Sequence, residues 1–183
     1  AREDSQRRIK DRTLAMNYGQ PVENVEFVCI EDPWPTGEAH RTAMTEWAHS
    51  VANPRLVVID TLAKLEPEVE GSDRYRSEYG MMTTYKNWAD AHDCTVLLIH
   101  HDSKAGSDGR GADWLSRISG TRGISGGVDT LMFLDTQRGS NEAILHYTGR
   151  DVEDGQLNLV RHPRGFWELP PYGGTMKPPP MYE

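Results

Sequence analysis

The stretch "RLVVIDTLAKL", Arg55 to Leu65, runs an apolar series into Asp60. An acid at the carboxyl end of a buried strand is placed to hold a magnesium ion that bridges two phosphate groups. The same Asp60-Thr61 pair also suits local backbone hydrogen bonds that cap the following turn, and the pattern alone does not choose between the two. His100, His101 and Asp102 close a second apolar run, "TVLLIH". Neighbouring residues of a strand face opposite sides, so the two histidines do not easily share one ion, and no cluster with metal-ligand spacing supplies further ligands. Two readings stay open: one imidazole packed and one exposed, or one donating a hydrogen bond to a terminal phosphate.

"SGTRGISGG", Ser119 to Gly127, has the glycines of a phosphate loop but not its lysine. Such a loop needs Lys followed by Ser or Thr, to reach the phosphates and the magnesium respectively. Lys10, Lys64, Lys86, Lys104 and Lys177 all lack that follower, so these residues contain no phosphate cradle of this type. Lys104, Arg110, Arg117 and Arg122 in the surrounding Gly/Ser-rich stretch suit a track along a nucleic-acid backbone. Asp102, Asp108 and Asp113 nearly cancel their charge and Trp114 is the one aromatic among them, which equally suits an ordinary loop. Arg150, in "HYTGRD", is either a solvated turn residue paired with a neighbouring acid or a cation reaching across a subunit boundary to a phosphoryl group. Glu3, just before the first helical pattern, suits favourable interaction with a helix N-terminus.

These residues need elements to carry them. Ser5 to about Tyr18 predicts a helix with Ile9, Thr13 and Met16 on one face and Arg7, Arg8 and Arg12 on the other, closed by Gly19 and Pro21. "VEFVCI", Val25 to Ile30, predicts a short buried strand. Glu38 to about Val51 predicts a helix with Ala39, Ala43, Met44, Trp47, Ala48 and Val51 inward, ended by Asn53-Pro54. A further helix carries Met81, Met82, Tyr85, Trp88 and Ala89. Asp102 to Asp129 lacks periodicity, a length of loop that is usually functional. "TLMFL" predicts another buried strand; "AILHYT" and "QLNLVR" predict an antiparallel pair, and "GFWEL" a possible third strand. The expected class is α/β: a mostly parallel sheet flanked by helices, with an antiparallel C-terminal edge. Ligands of such sheets bind beyond the carboxyl ends of the strands, which puts Asp60 and His100 along one rim.

Chain length of 183 residues predicts one domain, residues 1–169, followed by a Pro/Gly-rich tail, 170–183. A net charge of -8 and a pI near 5.4 argue against whole-molecule attraction to nucleic acid or anionic membrane, so any such contact is local. Cys29 and Cys94 read as reduced core thiols, and the cytoplasm as the expected compartment. No apolar run reaches the length of a membrane span. The start, without Met and directly in charged helical sequence, reads as cut from the middle of a longer polypeptide.

In order, "REDSQRRIKDR", "RLVVIDTLAKL", "VLLIHHDSKAG", "RISGTRGISGGVDTLMFL" and "HYTGRDVEDGQLNL" closely resemble the RepA-like branch of the RecA/DnaB ATPases, ring-forming replicative helicases of plasmids and phages. The similarity runs from Glu3 to about Leu169. It implies a RecA-like fold, ATP and magnesium as nucleotide and metal, a homo-oligomeric ring of six or seven subunits, single-stranded DNA as partner, an associated primase, and no membrane. By this resemblance Glu3 matches the glutamate that activates the attacking water, and Asp60, followed by Thr61, the Walker B acid at the magnesium. His100 or His101 falls at the γ-phosphate sensor, with His100 favoured because it ends the strand. Arg150 matches the arginine finger, and Arg110 to Gly127 the channel loop that meets DNA. The family's first strand, Walker A loop, helix and next strand belong before Glu3, so the 183 residues alone are expected to be inactive. Arg122 stands where the family more often has a small polar residue. Two rivals remain: a non-enzymatic oligomerisation module from a degenerate core, and a metal-dependent phosphohydrolase built on Asp60, His100, His101 and Asp102.

Overall fold

The computed structural model describes residues 4–66, 74–101, 114–118 and 123–170. The first helix, α1 (Gln6–Met16), starts where Ser5 accepts a hydrogen bond from the Arg8 amide at 3.3 Å, satisfying one of the free donors of a helix start. It lies on the surface with no buried residue: Ile9 and Thr13 are half-buried, while Met16 is exposed. Arg8 and Arg12 both fold back onto Asp4, at 3.0 and 2.7 Å.

Helix α2 (Gly37–Ser50) buries His40, Met44 and Ala48, spaced four apart on one face. It leads into β1 (Leu56–Ile59), the short α3 (Leu62–Leu65), the long α4 (Arg74–Ala91) and β2 (Thr95–Leu98). The strands β1 and β2 pair in parallel, Leu56 opposite Thr95 and Ile59 opposite Leu98. The core is the space between α2, α4 and these strands, filled by Met44, Ala48, Ile59, Leu62, Leu65, Met82, Tyr85, Trp88 and Cys94. Both cysteines are free and buried, as the composition led one to expect.

Two short helices, α5 (Leu115–Ile118) and α6 (Gly123–Gly127), interrupt the expected loop. Strands β3 (Thr130–Thr136), β4 (Glu142–Gly149), β5 (Gly155–Arg161) and β6 (Trp167–Glu168) then form an antiparallel sheet in chain order. "AILHYT", "QLNLVR" and "GFWEL" thus pair as expected.

Two strand expectations are corrected. "TLMFL" does not extend the parallel sheet; it lies in β3 and pairs antiparallel with β4, Phe133 opposite His146. The connection from Thr136 to Glu142 is too short for a crossover, and only antiparallel neighbours can be joined so directly. "VEFVCI" forms no strand: its amides turn elsewhere, Cys29 to the Asp32 carboxylate at 2.6 Å and Ile30 to the Asp4 carbonyl at 3.2 Å. Among the described residues no strand pairs with it, and Val25, Phe27 and Ile30 are exposed beside buried Cys29. In α2 the buried position is His40, where Ala39 was expected. The expected tail, apart from Pro170, lies outside the described residues.

Candidate functional site

The parallel register fixes where the chemistry sits. Past the last paired residues the two chains stay joined: the Ile99 amide bonds to the Ile59 carbonyl at 2.9 Å, and the Leu62 amide to the Ile99 carbonyl at 3.0 Å. Asp60 and His100 therefore leave neighbouring strands at one carboxyl-end rim, as their positions in the sequence implied. Asp60 is half-buried, the peptide bond to Thr61 is cis, and Thr61 is buried to 1% exposure. His100 and His101 are both exposed, and His100 Nδ1 lies 2.7 Å from the His101 carbonyl.

A single carboxylate on an open rim fits magnesium, which keeps several waters and takes its remaining oxygens from phosphates. Among the described residues no group of three or more His, Cys, Asp or Glu side chains could hold a metal by itself, which leaves the phosphohydrolase reading without a protein cage.

Behind the rim lies a polar cluster that the sequence reading missed. Glu66, at the exit of α3, is buried and accepts from Arg41 at 2.5 Å and from the Tyr85 hydroxyl at 2.7 Å. Burial, then the bond to Glu66, pushes the Tyr85 phenol far up, so it stays a donor. Next to it His40, 2% exposed, accepts from the Trp34 indole at 2.7 Å, and burial lowers its pKa below the ordinary value of 6.5. The chain after Asp60 is thus tied to α2 by Arg41 and to α4 by Tyr85. The signal was available in part: His40 sits four residues before Met44 and eight before Ala48.

The glycines of "SGTRGISGG" turn out to serve packing. A Cβ at Gly123 would lie 2.7 Å from the Tyr75 carbonyl, and one at Gly127 would lie 2.5 Å from Met82 Cβ, so only glycine lets α6 approach α4 this closely. Of the four loop cations, Arg117 is described. Its guanidinium lies 4.5 Å from the Phe133 ring centroid and 3.4 Å from Asp135, holding α5 to the sheet. Trp114 stacks beside it on His146 and Phe133. Glu3, Lys104, Arg110 and Arg122 lie outside the described residues, as does Asp102.

Arg150 follows β4. Its amide donates to the Asp129 carbonyl at 2.9 Å, and its guanidinium lies 3.4 Å from the Asp129 carboxylate and 3.5 Å from the Gly126 carbonyl. Its side chain is 54% exposed. It belongs to the antiparallel sheet, a separate ladder from the one carrying Asp60.

A family profile described as "AAA domain" matches residues 1–107, the segment that holds β1, Asp60, β2 and both histidines. Among solved structures the chain is similar to the ATPase domain of a DnaB-like phage helicase, with a TM-score of 0.66 at 18% identity. That match covers 91% of this chain and 66% of the other, so the chain spans just under two thirds of that solved length. The likeness carries the fold, a RecA-like α/β ATPase arrangement with a parallel sheet, an antiparallel sheet and flanking helices. No curated protein sequence matches this chain.

Proposed function

The chain belongs to the AAA domain family, and from that premise we propose that it is the C-terminal part of the ATPase core of a RepA-like replicative helicase of phage or plasmid type. In this reading the parent protein hydrolyses ATP between identical subunits of a ring of six or seven and moves along single-stranded DNA in the bacterial cytoplasm, with a primase as associated partner. The observation that supports it most is the parallel register that sets Asp60 and His100 on one rim, half-buried and exposed respectively.

Asp60 would hold the magnesium, which when bound neutralises charge on the phosphate oxygens it bridges. Glu3 accepts the proton of the water that attacks the terminal phosphorus, while the bond from that phosphorus to the bridging oxygen breaks, leaving ADP and phosphate. His100, being exposed at the strand exit, reports the terminal phosphate; His101 is the alternative donor. Arg150, largely exposed on the antiparallel sheet, serves the nucleotide bound by a neighbouring subunit, where a cation stabilises the charge spread over the phosphoryl oxygens. Lys104, Arg110 and Arg122 meet the DNA backbone, and Arg117 fixes the root of their loop. The amides and lysine that grip the phosphates come from polypeptide beyond this sequence, which has no Lys followed by Ser or Thr. The 183 residues alone therefore do not turn over ATP.

The direct test is Asp60→Ala in the full-length protein. Magnesium-dependent hydrolysis should drop to background while the variant keeps its circular-dichroism spectrum. Turnover at the unmutated rate would remove the catalytic assignment and leave a non-enzymatic ring module.

A further inference from the structure

A second cation stands beside Arg150. Lys86, on α4, places Nζ 2.5 Å from one oxygen of Asp129, while the Arg150 guanidinium lies 3.4 Å from the other. One carboxylate thus holds two cations that come from different elements, a helix and the end of a strand. None of the three is sealed off: the side chains of Lys86, Asp129 and Arg150 are 32%, 45% and 54% exposed.

The supports are rigid. Helix α4 is fixed by Met82, Tyr85 and Trp88 in the core, on either side of Lys86 along the helix. Asp129 sits at the root of β3, where its carbonyl takes the Arg150 amide, so the β3 and β4 ends move together. The bond to Asp129 raises the Lys86 pKa, with Asp90 one turn further along α4 adding to the effect and Arg150 opposing it; the ammonium stays charged near neutral pH. An exposed acid that bridges two cations is a replaceable partner: exposed ion pairs contribute little, so an arriving anion with more oxygens can take both cations from it.

We propose that Lys86 and Arg150 together form a polyphosphate-oxygen site, Lys86 acting with Arg150 on the triphosphate of nucleotide held by a neighbouring subunit, and Asp129 holding both cations in place until that anion arrives. This rests on the reading of Arg150 given above and extends it to a lysine that no sequence motif marks. The division of labour follows from chemistry. The guanidinium offers a planar fork to two oxygens, and the ammonium a compact charge to one.

Three measurements test it. Calorimetric titration of the 183-residue chain with inorganic tripolyphosphate should show binding, weakened at least about fivefold by Lys86→Ala and by Arg150→Ala, and strengthened by Asp129→Asn. In the full-length protein Lys86→Ala should lower kcat at least about tenfold with KM little changed, and Lys86→Arg should restore most of it. Mixing Lys86→Ala subunits with Asp60→Ala subunits should recover activity that neither has alone, since each supplies what its neighbour lacks; a purely structural lysine would not be complemented. Tripolyphosphate binding and turnover unaffected by Lys86→Ala, with Arg150→Ala impaired, would overturn the role of Lys86 and leave Arg150 standing. Both variants behaving as the unmutated protein would overturn the pair together.

Discussion

Asp60 and Tyr85 show how differently a residue's role can be written into a chain. Asp60 is legible because the apolar run before it and the end of the strand coincide. Tyr85 is legible only as an apolar position of α4, yet its hydroxyl is the buried partner of Glu66. Tyr85→Phe removes one hydrogen bond to a carboxylate and leaves the Arg41 bond in place, so it should cost about 1.5–3 kcal/mol, read from urea unfolding. A stabilised variant would mean the bond does not offset its burial. His40 adds a pH dependence. Its folded pKa is lowered, so the unfolded chain takes up a proton that the folded one refuses. Its contribution is fully present above about pH 6.5 and is lost as the pH falls below that value. The urea midpoint should fall between about pH 7.5 and about pH 5.5, and His40→Gln should flatten that fall. An equal fall in both proteins would assign it to other groups.

At the scale of elements, the contact between α4 and α6 carries the clearest rule. Glycine at 123 and 127 has the look of a phosphate loop in one dimension and of a close helix crossing in three, because the same missing Cβ serves both. Gly127→Val should strain the Met82 contact and cost about 1–3 kcal/mol, lowering the urea midpoint, with the far-ultraviolet spectrum retained. A neutral substitution would show that α6 can move off α4 freely. Helix α5 is held in another way, by Trp114 stacked on His146 and Arg117 over Phe133. The stack joins the root of the loop to β4, the strand that ends at Arg150.

For the whole molecule, two ladders carry the site residues separately, Asp60 and His100 on the parallel pair and Arg150 on the antiparallel sheet. A finger on its own ladder suits a cation offered outward to a neighbour. If it acts that way, native mass spectrometry of the full-length protein with magnesium and nucleotide should give six or seven copies, and Arg150→Ala should keep the ring while losing turnover. A monomer that hydrolyses ATP at the full rate would rule out catalysis between subunits. The exposed apolar face of β1, with Leu56 52% and Val58 48% exposed, and the unpaired "VEFVCI" beside α1 belong to this scale as well.

By itself the sequence determined which segments are helix and strand at the core, because burial periodicity is local: α2, α4, β1 and β2 were all legible from spacing. It also determined that Asp60 and His100 end strands and that both cysteines are buried, since apolar runs announce burial. Tertiary structure decided what periodicity does not encode. Whether "VEFVCI" pairs depends on a neighbour, as does the sheet that "TLMFL" joins, although the short link to β4 held that answer in its length. The partners of Glu66, 25 residues from Arg41 and 19 from Tyr85, and of Asp129, 43 residues from Lys86, are set by packing across elements. Charge carries no periodicity of its own, so a carboxylate's partner becomes visible only once the fold has brought it near.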